Sequence, residues 1–296
     1  MKEGIILKNK KLLIINISII VGLCLLFLFL SVFQCENRAF AQEINEIYYC
    51  DDYSLLNSVS VLSSSITEEI HYARKVEEKY LINDSFPNYY NTNNNLSNAC
   101  ANVAGANLIG YYDRYFENLI PNHSPGMQRP SGYIYQAMTT NMTLKQGVID
   151  ALYDKMKTNT ISSGTSQTQY KSGLTSYIKE KGYNIDIVKT MNGSNLDLEK
   201  VNSQLRSGNP ISLYLQGYNF SSVKDSGSVV TIDKSNYEGN HIIIVYGYEK
   251  VLYYDSNNNL VSTKIYLYTA PGIKSMPNIY ILDSRGLVDA EAMRIY

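Results

Sequence analysis

The chain contains 296 residues, of which 45% are hydrophobic and 18% are charged, and its 26 basic and 27 acidic side chains almost cancel. This near-neutral balance argues against a nucleic-acid-binding protein, because contacts with phosphate groups require a basic surface. The apolar content is also too high for a disordered chain. The length is sufficient to bury the core of one large domain or two small ones, so we expect a globular protein.

Residues 1–41 have the features of a secretory signal peptide in the usual order. Four lysines before residue 12 form a positive head, an apolar run from Leu12 to Phe33 follows, and Ala39-Phe40-Ala41 fits the small-x-small pattern of signal peptidase. The run is also long enough to cross a bilayer, since about 20 residues suffice, and an uncleaved membrane anchor is the alternative. Both interpretations predict a protein that is secreted or held at the extracellular face of the membrane.

Residues 42–80 are a candidate propeptide or N-terminal extension. Within them, the segment from Ile66 to Glu78 mixes apolar and charged residues and predicts an amphipathic helix. Residues 83–98 are dense in Asn, Ser and Tyr and predict a loop. The remaining domain is expected to span 83–296.

A helical pattern begins at Cys100. Cys100, Ala104 and Leu108 recur at steps of four, which places them on one face of a helix, and Ser97 or Asn98 is the expected N-cap. Further helices are predicted over 144–157, 168–181 and 195–207. The last of them ends at Gly208-Asn209-Pro210, a C-cap glycine followed by a proline that stops the helix.

Beyond Pro210 the sequence becomes rich in β-branched and aromatic residues, which predicts strands. The predicted strands are 211–218, 241–248, 251–254, 261–268 and 278–283. The polar segment from Asp255 to Asn259 is typical of a hairpin turn between two of them. Helices followed by strands indicate an α+β fold rather than an alternating α/β sheet.

The cysteines differ in their chemical setting. Cys24 lies in the apolar N-terminal run, and Cys35 would be removed with it, which leaves Cys50 and Cys100. The spacings are too wide for a Cys-x-x-Cys zinc site, and we expect no metal and no cofactor. Cys100 begins a helix, where the macrodipole and the backbone amides favour a thiolate, so it is the candidate nucleophile.

A cysteine nucleophile needs a base that titrates near neutral pH, and the chain has three histidines. His71 lies in the predicted charged helix and His123 in a loop between prolines, so we expect both to be solvated. His241 begins a very apolar strand. Asp283 follows another strand and is a candidate to orient the imidazole ring, with Asp255 in the hairpin as its rival.

Three segments in chain order resemble the papain-like cysteine peptidases, nearest the group of double-glycine leader peptidases that process bacteriocins. The segment 98–106 and the following Tyr111-Tyr112-Asp113 resemble the nucleophile helix of that family. The run from Gly239 to Tyr248 resembles its Gly-x-His strand that ends in Gly-Tyr, and Ile281-Leu282-Asp283 resembles its final strand. The resemblance covers roughly residues 83–286.

The resemblance implies a papain-like α+β fold, in which an N-terminal nucleophile helix packs on a C-terminal antiparallel sheet. It also implies a Cys100-His241-Asp283 triad that hydrolyses peptide bonds without a metal. The oxyanion glutamine of the family lies six residues before the cysteine, where this chain has Asn94, with Asn93 and Asn95 as rivals. A second departure is Ala101-Asn102, which stands where the family usually has Gly-Pro.

The expected protein is thus a bacterial, exported cysteine peptidase whose partner is a peptide or protein substrate. Two other classes remain open. A transglutaminase-like acyltransferase or a cell-wall amidase could use the same triad. A non-catalytic secreted binding protein could instead join Cys50 and Cys100 in a disulfide.

Overall fold

The computed structural model describes residues 47–49, 65–70, 73–83, 85–128, 134–136, 138–225, 230–236, 239–274, 279–281 and 286–296. The predicted signal or anchor segment and Asp283 lie outside these residues. None of the described helices has the length and apolar character needed to span a bilayer. From Tyr48 to Tyr296 the chain forms one compact unit.

The described residues contain four α-helices; the start of the first was predicted at Cys100, and the ends of the other three agree with the prediction to within three residues. They are α1 (Cys100–Tyr112), α2 (Met142–Lys155), α3 (Gln167–Glu180) and α4 (Leu198–Arg206). Side chains cap the last three: Asn141 accepts from two first-turn amides of α2, Ser166 and Gln169 form a capping box on α3, and Asp197 caps α4. The helix-ending glycine is also confirmed, because Gly208 has a φ of 79° directly after α4.

Helix α1 is buried on all sides rather than on the single predicted face, and every one of its residues is buried. Small residues make this possible: a Cβ atom on Gly105 would lie 3.0 Å from a methyl carbon of Leu152 in α2. At the other end of the helix, the Tyr112 hydroxyl donates to the backbone carbonyl of Met293 at 2.8 Å. The helix is therefore enclosed between α2 and the C-terminal strand.

The strands form antiparallel sheets, which confirms the α+β class as helices combined with a curled antiparallel sheet. In chain order the strands are β1 (Tyr48–Tyr49), β2 (Ser65–Ile70), β3 (Ala73–Leu81), β4 (Gly126–Gln128), β5 (Ile134–Gln136), β6 (Thr165–Ser166), β7 (Ile185–Lys189), β8 (Met191–Asn192), β9 (Asn195–Leu196), β10 (Ile211–Gln216), β11 (Asn219–Asp225), β12 (Val230–Asn236), β13 (Asn240–Tyr254), β14 (Leu260–Ala270), β15 (Ile279–Ile281) and β16 (Leu287–Ile295). The largest sheet has the order β15-β14-β13-β10-β16-β7, and β3 also pairs with β13. Strand β11 pairs with β12, and β12 with β2, in a separate three-stranded sheet.

Strand β13 is the centre of the largest sheet because it has three partners. One of its edges pairs with β10 near its start and with β3 further along, and the other edge pairs with β14 over most of its length. The two predicted strands 241–248 and 251–254 are therefore parts of one strand. The predicted turn from Asp255 to Asn259 does connect it to β14.

The predicted helix from Ile66 to Glu78 is wrong, since this part of the chain contains β2 and β3. Strand β3 pairs with β13 from Ala73 opposite Tyr254 to Leu81 opposite Gly247. Its charged side chains pair across the sheet, with Arg74 bound to Glu249 and Glu77 to Lys250. The open edge of β13 supplies a ladder of backbone hydrogen bonds, and this tertiary pairing overrides the weak helix propensity of the segment.

The two faces of the largest sheet pack against different helices, because side chains alternate along each strand. On one face Leu213 and Ile243 belong to an apolar cluster that includes Val201 and Leu205 of α4. On the other face the Ser212 hydroxyl is hydrogen-bonded to Tyr170 of α3 at 2.9 Å. Apart from β2 and β3, where a helix was predicted, the strands without a prediction from the sequence are β1, β4, β5, β6, β7, β8, β9, β11, β12 and β16.

Two glycines in helix interiors allow a matched test of the packing. Gly147 in α2 has no atom within 4 Å of a Cβ position, whereas on Gly173 in α3 a Cβ atom would lie 2.7 Å from the Met156 backbone. Gly147→Ala should raise the free energy of unfolding by about 0.5–1 kcal/mol, because alanine loses less backbone entropy. Gly173→Ala should lower it by about 1–3 kcal/mol through overpacking. Urea unfolding midpoints measure both, and changes of the same sign would contradict this packing.

A carboxylate of β3 should make stability depend on pH. Hydrogen bonds from Tyr248, Arg206 and Asn202 lower the pKa of Glu78 from its ordinary value to about 2. The unfolded chain therefore binds more protons at this site between roughly pH 2 and 5, and the stabilisation present at neutral pH is lost as the pH falls through that window. We expect the difference in unfolding free energy between wild type and Glu78→Gln to shrink on acidification. A difference independent of pH would contradict the assignment.

Candidate active site

Cys100 is the first residue of α1, has a free thiol and is 2% exposed. The expected N-cap is wrong: the N-cap residue is Ala99, and no side chain of the described residues caps this helix. Asn98 instead has a φ of 57° and donates its side-chain amide to Asn159 at 2.8 Å and Ser163 at 2.9 Å. The backbone amides of this first turn lie beside the thiol, and together with the helix dipole they favour an anion there.

Asn102 has a structural role that explains one departure from the family pattern. Its side chain is fully buried and donates to the Thr158 hydroxyl at 3.0 Å. That hydroxyl is also hydrogen-bonded to Thr165 at 2.7 Å. The segment between α2 and α3 therefore contacts the start of α1 through the Asn102 side chain, with a hydrogen bond that a proline at this position could not donate.

His241 is the second residue of β13 and is 1% exposed. Its ring stacks on Tyr218 with the ring centres 5.6 Å apart and the planes 14° from parallel. The Nε2 atom lies 2.8 Å from the backbone carbonyl oxygen of Pro271. Because a carbonyl only accepts, Nε2 carries the hydrogen, and in the neutral ring Nδ1 is the basic nitrogen.

The Pro271–Gly272 segment connects the surroundings of Cys100 and His241. A Cβ atom on Gly272 would lie 2.5 Å from Cγ1 of Val103, which is one helical turn after Cys100 on the same side of α1. Gly272 has a φ of 74°, so glycine is favoured there for its backbone as well as for its size. Pro271 therefore contacts the imidazole ring, and the next residue, Gly272, contacts α1 one turn after Cys100.

The other predicted site residues are less closely connected. Asp283 lies outside the described residues. Asp255 lies at the opposite end of β13 from His241 and accepts hydrogen bonds from Asn257 and Asn259 in its own turn, so it does not orient the ring. Asn94 lies in an exposed turn.

The rivals of Asn94 are held in the same loop. The Asn93 side-chain oxygen accepts from the Asn95 amide at 3.1 Å.

Pro271 and Tyr218, which do contact His241, were not predicted from the sequence. A backbone carbonyl leaves no signal in a sequence, since every residue has one.

His123 was expected to be solvated, but its side chain is only 14% exposed and its Nδ1 is bound to the buried carboxylate of Asp113. Burial raises the pKa of Asp113, although hydrogen bonds from His123 and the Ile120 amide oppose this effect. Asp113 follows the last residue of α1, about 20 Å along the helix from Cys100. The pair therefore closes the loop after the helix and lies outside the candidate site.

Comparison with known proteins adds a family to this geometry. The model of the Peptidase_C39 like family matches residues 83–281, about two thirds of the chain. The matched range includes Cys100 and His241, and it confirms the resemblance to this type of cysteine peptidase. Searches of the curated proteins and of the solved structures return no match. Among the described residues, no group of three or more His, Cys, Asp and Glu could hold a metal ion.

The contact with Pro271 makes a prediction about the histidine tautomer. In the neutral ring, His241 should carry its hydrogen on Nε2, because only that form donates to the carbonyl. Two-bond ¹H–¹⁵N correlation spectra of the full chain measure this, and His241→Gln assigns the signal against the other two histidines. A hydrogen on Nδ1 at neutral pH would contradict the geometry.

Proposed function

Since the chain belongs to the Peptidase_C39 like family, we propose that it is a cysteine peptidase that hydrolyses peptide bonds with Cys100 as its nucleophile. In this proposal the fold is papain-like, and α1 is the nucleophile helix packed on the sheet. The observation that carries it is the contact of one segment, Pro271–Gly272, with both the His241 ring and the first turns of the Cys100 helix. The Cys, His order along the chain agrees with the family pattern.

The first half of the reaction forms a thioester. His241 Nδ1 accepts the proton of the Cys100 thiol, and the resulting thiolate, stabilised at the start of α1, attacks the carbonyl carbon of the scissile peptide bond. The carbonyl oxygen becomes an oxyanion, for which the Cys100 backbone N–H and the side-chain amide of Asn94 are the proposed donors. The His241 Nδ1–H then donates its proton to the leaving amine, and the C–N bond breaks.

The second half of the reaction returns the enzyme to its starting state. Neutral His241 accepts a proton from water, the hydroxide attacks the thioester carbon, and the C–S bond breaks to release the acid and the thiolate. Throughout, the Pro271 carbonyl holds Nε2–H and the Tyr218 ring supports the face of the imidazole. Asp283 is proposed to stabilise the positive charge of the ring.

We also propose that the protein acts outside the membrane. The signal-like or anchor-like residues 1–41 support export, and residues 42–80 are the proposed propeptide or extension. The natural partner would be a peptide or protein substrate, with no nucleic acid involved. N-terminal sequencing of the exported chain tests whether it begins after residue 41 or after residue 80. A chain that remains in the cytoplasm at full length would contradict export.

The peptidase proposal predicts the effects of paired substitutions on casein hydrolysis. Cys100→Ala and His241→Ala should each lower kcat/KM by at least about a thousandfold, because each removes a member of the catalytic set. His123→Gln is the matched control for the histidine. Asp283→Asn should also lower kcat/KM, whereas Asp255→Asn should leave it unchanged.

The same variants separate the competing functions. Release of peptides by wild type but not by Cys100→Ala supports a peptidase, whereas cleavage of peptidoglycan stems or incorporation of amines would indicate the amidase or the acyltransferase. A Cys50–Cys100 disulfide in the exported protein, seen by mass mapping without reduction, would indicate the binding protein. Equal casein hydrolysis by Cys100→Ala would overturn the assignment of the nucleophile.

A further inference from the structure

The residues just before Cys100 are in contact with a loop from another part of the chain. This loop covers residues 157–164 and lies between α2 and β6. Its base is closed by the backbone N–H of Asn159, which donates to the Gly164 carbonyl at 2.9 Å. The Gly164 N–H donates in return to the side-chain oxygen of Asn159 at 2.6 Å. The closed base of the loop therefore fixes the position of the Asn159 side chain.

The side-chain amide of Asn159 uses its donors and its acceptor oxygen together. The oxygen accepts from the side-chain amide of Asn98 at 2.8 Å as well as from Gly164. The nitrogen donates to the Ser97 carbonyl at 3.2 Å and to the Tyr153 hydroxyl at 2.7 Å. An amide has two donor hydrogens and two acceptor lone pairs, and this set of contacts needs both kinds. Asn159 is therefore the point at which the loop is joined to Ser97 and Asn98.

These contacts hold a turn that the backbone does not favour by itself. Asn98 has a φ of 57°, in the left-handed region that residues other than glycine seldom adopt. The peptide group before it is fixed at the Ser97 carbonyl, which also accepts from the Tyr153 hydroxyl at 3.1 Å. The Asn98 side chain is fixed by Asn159 and by the Ser163 hydroxyl. The surrounding contacts thus stabilise a conformation that costs free energy.

The turn at Asn98 determines how the chain enters the nucleophile helix. One residue, Ala99, separates Asn98 from Cys100, and its carbonyl accepts from the Val103 N–H at 2.9 Å in the first turn of α1. A change in the φ of Asn98 would reorient the peptide groups that follow, including the group that carries the Cys100 N–H. In the proposed function this N–H is an oxyanion donor, and such a donor is effective only when it is aimed at the developing charge.

We propose that Asn159 is a positioning residue for the nucleophile: it holds Asn98 in the left-handed conformation and thereby aims the Cys100 backbone N–H at the substrate oxyanion. This inference rests on the proposed function, because it assigns Asn159 to the reaction of the peptidase. Asn159 acts through Asn98 and does not touch the substrate. Because the oxyanion forms only in the reaction, loss of this alignment lowers kcat rather than raising KM.

Steady-state kinetics of casein hydrolysis by the full chain tests this role. Asn159→Gly removes the side chain at a φ of 62°, which glycine adopts without strain. We expect kcat to fall by about ten- to a hundredfold and KM to change by less than about twofold, because a small displacement of a catalytic group has an effect of this size. Lys157→Gly is the matched control, since Lys157 lies in the same loop with a φ of 51° and an exposed side chain. Both constants should be unchanged in it.

A second pair of variants tests the turn itself and does not depend on the folding of Asn159→Gly. Asn98→Ala and Asn98→Gly both remove the side-chain contacts with the loop, but only glycine adopts a φ of 57° freely. The alanine variant should therefore have a kcat at least about fivefold lower than the glycine variant. Equal kcat values in this pair, or an equal loss of kcat in Asn159→Gly and Lys157→Gly, would overturn the inference.

The backbone of Asn98 can also be followed without any activity. A positive φ brings the amide and α hydrogens of one residue close together, so the wild-type chain should show an intense intraresidue NOE at Asn98. This NOE should weaken in Asn159→Gly and persist in Lys157→Gly, and an unchanged NOE in Asn159→Gly would overturn the inference. A weakened NOE there, together with casein hydrolysis insensitive to Cys100→Ala, would refute the peptidase but support the hold of Asn159 on the turn before α1.

Discussion

The burial of helix α1 on every side is the constraint on which the rest of the structure depends. Glycine and alanine side chains let α2 approach one side of the helix, and tyrosines at its C-terminal end reach backbone carbonyls of the surrounding chain. A close-packed helix of this kind has little freedom to slide or rotate. Cys100 at its start therefore has one well-defined position. The same burial also covers the thiol.

The second fixed element is strand β13, whose pairing with three other strands holds His241 at its beginning. The ring is positioned by stacking on Tyr218 and by the carbonyl of Pro271, and neither contact involves a carboxylate. A nucleophile on a helix and a base on a strand are held more accurately than groups on loops, which is what proton transfer over a short distance requires.

Much of the helical part was predictable because the local signals agree with the tertiary structure. Helices α3 and α4 have side-chain caps, and Gly208 ends α4 with the positive φ that glycine favours. The segment from Ile66 to Glu78 failed because its charges could support either a helix or a paired edge strand. The choice was made by the edges of β12 and β13, about 170 residues away. His123 failed for a similar reason, since the carboxylate of Asp113 draws it out of solvent.

The sequence by itself determined the class of the fold, the order of Cys100 and His241 and the family to which they point, because periodicity, capping residues and short motifs are local properties of a chain. Only the tertiary structure decided which atom faces the His241 Nε2 and which hydroxyl accepts from the Asn102 side chain. The Pro271 carbonyl is chemically identical to every other backbone carbonyl and is 30 residues from the histidine. Tyr48 lies 192 residues from the asparagine that holds it. Contacts of this kind arise when distant segments share one packed core, and no local pattern encodes them.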